Sequence, residues 1–200
     1  MPETPDSTSV DVSTERVDAA RNRARLLEAA TLLVAERGPE HVTMREVAEA
    51  AGVGKGTLFR RFGDRDGLLL ALLDDAEAEF QEAYTTGPPP LGPGAPAAER
   101  LASFGCALLG RIATDADLGA ALGRQVPYAR RAASGSGRSF HSHLSTLLSQ
   151  AGLDSDHDML AHALLAFLSF EVADHLREEH AVPVARLQAT WVDLIRRLTS

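Results

Sequence analysis

Apolar residues recur along this chain at steps of three and four, the spacing of one face of an α-helix. From about Val17, Leu26, Leu27, Ala30, Leu33 and Val34 predict a helix that Gly38-Pro39 stops, with Arg37 in its last turn. Residues 43–62 read as two short helices around one tight turn. Asp64 then opens a helix striped by Leu68, Leu69, Leu72 and Leu73, expected to run through Phe80 to about Tyr84. The Pro/Gly-rich run 85–96 admits no helix. Leu101, Phe104, Leu108, Leu109 and Ile112 predict a helix over 97–114, and Asp115 or Asp117 is expected to cap a shorter one ended by Pro127. Ser134 to Gly137 reads as a flexible turn, followed by a helix with Phe140, Leu144, Leu147 and Leu148 inward. The last two helices are expected from about Asp156 to Glu179 and from Pro183 to Leu198. The fold class is all-α.

Residues 43–62 carry the most information. Thr43 followed by Glu46 has the capping-box spacing. Val47, Ala48 and Ala51 give the first short helix its inward face, and Ala48 is small where a second helix would cross. Gly52 falls where a turn of about three residues needs positive φ. Val53, Leu58 and Phe62 supply the buried side of the second helix. What remains outward is Gly54, Lys55, Gly56, Thr57, Arg60 and Arg61, which are small, polar or cationic. Such a face suits close approach to a polyanion, with backbone N–H groups at the helix start free to meet phosphate. The arrangement points to a helix-turn-helix whose second helix enters a major groove. The same string also fits a helix-turn-helix used only for packing.

This stretch resembles the signature of the tetracycline-repressor (TetR) family of bacterial transcription regulators. The resemblance covers roughly residues 20–72 and rests on Ala-Gly-Val-Gly-Lys-Gly-Thr-Leu-Phe-Arg-Arg-Phe followed by Gly-Asp-Arg-Asp-Gly-Leu-Leu. Phe59 stands where the family usually has a phosphate-binding Tyr, and Arg65 where a Lys is usual. The resemblance implies a three-helix DNA-binding domain, a connecting helix and a C-terminal helical domain for ligand binding and dimerisation. In this chain the expected boundaries are a disordered arm over 1–15, the DNA-binding domain over 16–63 and the C-terminal domain over 64–200.

Charge changes the picture by its distribution. The chain has a net charge of −8, which on its face disfavours DNA. Residues 21–70, however, hold nine Lys/Arg against seven acids. Residues 1–20 hold one against five, and residues 71–200 hold ten against sixteen. Only one end of the molecule is therefore suited to face DNA. A single cysteine, Cys106, excludes an internal disulfide and fits a reducing, cytoplasmic setting. No apolar run is expected to reach the ~20 residues of a membrane span, and acidic Glu3 and Asp6 do not fit a signal peptide.

Other candidate chemistry is weak. No Gly-x-Ser-x-Gly or His-Glu-x-x-His motif is present, so an enzyme is not expected. Asp154-Ser-Asp-His-Asp158 could hold a metal but reads better as a helix cap, and His141 and His143, two apart on a helix, do not share a face. No metal and no cofactor are expected. Arg124, Arg130 and Arg131 form a second basic cluster, suited to internal salt bridges or, alternatively, to an anionic ligand.

The function expected is a regulator that binds a palindromic operator on double-stranded DNA as a homodimer. The candidate DNA contacts are Thr43, Arg45, Gly54, Lys55, Gly56, Thr57, Phe59, Arg60, Arg61 and Arg65. The resemblance further implies a small-molecule effector of unspecified identity. Phe104, Leu108, Tyr128, His143, Leu147, His162 and Leu165 are its candidate pocket, though core packing explains each as well. Leu164, Phe167, Phe170, Leu187, Trp191, Leu194 and Ile195 are the candidate dimer interface; a monomer core would use them equally. A helical scaffold that no longer binds DNA and, further off, a small hydrolase are the competing readings.

Overall fold

The structure is a computed structural model and describes residues 8–114 and 118–200. Among the described residues the regular elements are helices, with no strand. The chain divides into two compact units, Met1–Leu72 and Leu73–Ser200. The division falls inside a helix, whereas the sequence pattern placed it just before that helix. Leu68, Leu69 and Leu72 are buried in the first unit, so the helix start belongs to the head.

In the first unit α1 (Thr8–Arg37) is followed by a 3-10 turn (Pro39–His41), α2 (Met44–Ala51), α3 (Lys55–Phe62) and the start of α4 (Arg65–Ala76). α1 begins nine residues before the expected Val17, inside the stretch read as an arm; residues 1–7 lie outside the described residues. No Gly or Pro stands between Thr8 and Gly38 to stop a helix. α1 packs on α2, and α2 on α3. Leu26, Ala30, Val47, Ala48 and Leu58 close the core, each at most 4% exposed. Full burial of one such Leu stabilises by roughly 1.5–3 kcal/mol.

The second unit contains the rest of α4, then α5 (Ala78–Thr85), α6 (Ala97–Ile112), α7 (Leu118–Arg124), α8 (Tyr128–Ala132), α9 (Gly135–Gln150), α10 (His157–Phe167), α11 (Phe170–Glu178) and α12 (Val184–Leu198). Asp115 and Asp117, the expected caps of α7, lie outside the described residues. Ser134 caps α9 by accepting the Gly137 N–H at 3.1 Å, so the expected flexible turn is a helix start. The long helix expected from Asp156 breaks at Leu168, and Ser169 restarts the chain by accepting the Val172 N–H. Taken as one span, His157–Glu178 has the length and mean hydropathy (1.3) of a membrane-crossing helix. That corrects the expectation that no segment would; here α10 packs on α9 and α11 on α6 and α7.

α6 is central, packed on α9 and α12. Trp191 of α12 is fully buried against it and donates its indole N–H to the carbonyls of Leu101 (3.0 Å) and Ala102 (3.1 Å). Burying a Trp requires such a partner for its N–H. Phe80, Tyr84, Phe104 and Phe140 form an aromatic cluster with centroids 5.3–6.0 Å apart. The Tyr84 hydroxyl lies 2.6 Å from Ser139 Oγ.

Candidate nucleic-acid interface and C-terminal cavity

The helix-turn-helix is held by local chemistry. The backbone N–H and hydroxyl of Thr43 both donate to the Glu46 carboxylate, at 3.1 and 2.6 Å, while the Glu46 N–H returns a bond to the Thr43 hydroxyl. These bonds hold the Glu46 carboxyl below its usual range. At the other end Gly52 has φ 61° and ψ 36°, and its N–H reaches the carbonyls of Ala48 and Glu49. A left-handed residue there turns the chain, and glycine takes that conformation without a Cβ clash. Gly52, Val53 and Gly54 make the whole connection to α3. Arg25 of α1 donates to the Ala51 carbonyl at 2.6 Å and pins the end of α2.

α3 turns Leu58 inward with no exposed surface, while Val53 and Phe62 are half-buried beside it. Gly54, Lys55, Gly56, Phe59, Arg60 and Arg61 are exposed, and Thr57 is half-exposed. A Cβ added at Gly54 or Gly56 would meet nothing within 4 Å. Neither has positive φ. Nothing among the described residues therefore requires glycine there. Lys55 Nζ lies 5.7 Å from the centroid of the exposed Phe59 ring. Thr43 and Arg45 are exposed at the start of α2, and Arg45 lies 3.9 Å from Glu49.

Arg65 departs from its expected role. Its Nε donates to the Val42 carbonyl at 3.0 Å and its Nη2 to the Pro39 carbonyl at 2.5 Å. The guanidinium ties α4 to the 3-10 turn instead of standing outward with Arg60 and Arg61. Its partners are backbone carbonyls more than twenty residues away, which sequence spacing does not reveal.

Comparison with known proteins agrees with this geometry. Residues 26–72 match the model for bacterial regulatory proteins of the tetR family. The HTH-type transcriptional repressor AcnR of Corynebacterium glutamicum is 39% identical over 64 residues, 32% of this chain and 34% of that protein. The head of the chain is thus similar to the DNA-binding part of TetR-family regulators. The HTH-type transcriptional regulator SAUSA300_2515 of Staphylococcus aureus is 43% identical over 53 residues, 26% of this chain and 29% of that protein. The chain thus spans about a third of the length of the curated relatives it matches. Beyond the head the likeness is one of fold. RolR in complex with resorcinol aligns at a TM-score of 0.67 and 23% identity, over 92% of this chain and 95% of that one. A TetR transcriptional regulator from Rhodococcus sp. RHA1 aligns at 0.58 and 23%, over 90% and 95%.

The C-terminal unit holds a cavity of about 400 Å³. Of the expected pocket residues, Leu108, Tyr128, His162 and Leu165 line it. Phe104, His143 and Leu147 do not. Phe104 and Leu147 are sealed in the core, and the His143 ring lies tilted against Tyr84 with centroids 4.4 Å apart. Burial lowers the His143 pKa to about 4, with the nearby Arg100 charge adding to the effect. Glu77, His141 and Arg138 also line it and were not among the expected pocket residues, and Arg131, of the second basic cluster, lines it too. Glu77 is 5% exposed and ion-paired with Arg111. Its spacing from Leu73, Phe80 and Tyr84 puts an acid on an apolar helix face, a signal that was available. Arg131 donates to both Glu171 oxygens (2.9 and 2.7 Å) and to the Gly123 and Val126 carbonyls. Arg124 pairs with Asp174 at 2.7 Å, so much of the second basic cluster is internally bound.

The candidate dimer residues divide. Leu164, Leu187, Trp191 and Ile195 are at most 4% exposed, sealed within their own protomer, and cannot form a contact face. Period alone does not distinguish the two sides of a helix that are both apolar. Phe167 and Leu194 are half-buried, and Phe170 lines the cavity. Met159 of α10 and Val192 of α12 are 60% and 43% exposed.

Proposed function

We propose that this chain is a transcription regulator, a repressor in its basic action, that binds a palindromic operator as a homodimer in the cytoplasm and responds to a small molecule. The observation that carries the reading is α3: a helix with Leu58 sealed inward and Lys55, Arg60 and Arg61 outward around two glycines that nothing among the described residues requires. Lys55 and Thr57 are assigned to base edges, and Arg60, Arg61, Thr43 and Arg45 to phosphates. One such helix reads few base pairs, and a two-fold pair reads two half-sites a helical turn or a multiple apart. The exposed outer sides of α10 and α12, with Met159 and Val192, are the faces assigned to the partner copy.

The effector fits the C-terminal cavity. Its walls are mostly aliphatic and aromatic, with Glu77, Tyr128 and Arg131 as polar points. Such a site suits a small, largely apolar compound that carries one or two polar groups. RolR, of the same fold, is seen with resorcinol. A ligand that binds the non-fitting arrangement of the two heads better would release the operator. The chemistry asked of the site is binding, not catalysis.

The test is a gel shift with the DNA upstream of the protein's own gene, repeated with added salt and small aromatic compounds. Retardation should weaken steeply with salt. Lys55→Ala should cost about 1–3 kcal/mol and relax preference at one base pair. A protein that stays monomeric at micromolar concentration, or retards no DNA, returns the reading to a helical scaffold.

A further inference from the structure

Two helices of the C-terminal unit bring three metal-ligating side chains to one point. His141 comes from α9; Asp158 and His162 stand one turn apart on α10 and project from one face. One donor atom from each lies within 4.8 Å of the other two. His141 Nε2 is 3.4 Å from the Asp158 carboxylate, and the His141 and His162 rings have centroids 4.2 Å apart. Neither the TetR-family match, which ends at residue 72, nor the helix-turn-helix uses these residues.

We propose that His141, Asp158 and His162 bind one divalent transition-metal ion of the zinc class. With metal–ligand distances of about 2.0–2.2 Å, donors around a tetrahedral ion stand roughly 3.3–3.5 Å apart. The His141–Asp158 pair already has that separation. No pair need close by more than about 1.5 Å to reach the same geometry. Asp158 and His162 are exposed, so rotation about their own side-chain bonds supplies that closure without moving the backbone. Two imidazoles and one carboxylate favour zinc, nickel or cobalt over magnesium or calcium, which take oxygen shells. Three protein ligands leave at least one position for water.

Capping does not account for Asp158. The cap of α10 is Asp156, which accepts the Met159 N–H at 3.1 Å. His141 Nε2 also lies 3.3 Å from the Asp158 carbonyl. The proton that nitrogen carries in such a bond must leave, or move to Nδ1, when the metal takes the lone pair. His141 and His162 also line the cavity, so the ion would sit at its rim. The test reads the ion directly, with no operator or effector present.

The experiment is a titration of the chelator-treated full chain with Co²⁺, followed by visible d–d absorption, and then displacement by Zn²⁺. The expected result is one Co²⁺ per chain with the intense bands of four- or five-coordination, reversed by zinc. His162→Gln and Asp158→Asn should each weaken binding by at least about tenfold, with far-UV circular dichroism unchanged because both side chains are exposed. Imidazole NMR signals of His141 and His162 should shift with Co²⁺ while those of His175 and His180 stay. The weak spectrum of hexaaqua Co²⁺ overturns the proposal. So does undiminished binding in the folded His162→Gln variant, or a shift confined to His175 and His180, whose rings are 4.9 Å apart.

Discussion

The indole of Trp191 lies directly over Gly105, so that a Cβ at Gly105 would overlap its Cε2 and Nε1 atoms. α6 and α12 meet there at a distance only glycine allows. Gly105→Ala is therefore expected to destabilise by about 1–3 kcal/mol, the usual cost of overpacking. Gly110, on the same helix, would place its Cβ no nearer than 3.6 Å to Gln188. Gly110→Ala should instead stabilise by up to about 1 kcal/mol. Urea unfolding of both variants, read as opposite shifts in midpoint, checks the pair.

Gly56 separates folding from DNA binding. It is the second residue of α3, with open space where a Cβ would go. Gly56→Ala should raise the thermal midpoint, because alanine favours a helix by roughly 1 kcal/mol over glycine. The same methyl stands between the helix and the groove, so operator affinity should fall. A variant that is more stable and binds as before would remove the case for close approach at this position.

Arg61 and Arg65 should behave differently although both are cationic and four residues apart. Arg61 is exposed, and Arg61→Ala should lower the salt slope of DNA binding by about one with little change in stability. Arg65 donates to the Val42 and Pro39 carbonyls. Arg65→Ala should destabilise the head by about 1–3 kcal/mol, the cost of losing two charged hydrogen bonds and leaving the buried Val42 carbonyl without its donor. Salt-dependent fluorescence anisotropy together with denaturation distinguishes the two.

His143 makes stability fall with acid. Its Nε2 is buried with no hydrogen-bond partner among the described residues, and its pKa is lowered from 6.5 to about 4. Between those values the unfolded chain takes up a proton that the folded chain refuses, so unfolding gains. The stability present above pH 6.5 should decline as pH falls towards 4 and then cease to change on this account. His143→Phe should flatten that part of the profile. Thermal midpoints across the range, wild type against variant, provide the check.

Local signals were legible in the chain. The capping box at Thr43 and Glu46, the left-handed Gly52, the Asp64 cap that accepts the Gly67 N–H at 2.8 Å, and the inward Leu58 all stand where spacing put them. Each depends on residues within one or two turns, and such interactions are written in the order of the residues. The cationic outer face of α3 is what remains once its buried side is subtracted.

Tertiary structure decided the rest. Helical period marks an apolar side but not which neighbour covers it, so Trp191 and Ile195 read as an interface and are core. Phe104 and Leu147 read as pocket and are sealed, while Glu77 and Arg131, far apart in sequence, meet at the cavity. His141 gains His162 as its neighbour only when α9 packs on α10. Sequence order carries the short-range hydrogen bonds and the helix faces; the pairing of those faces depends on shape and burial summed over the whole unit, which no single segment contains.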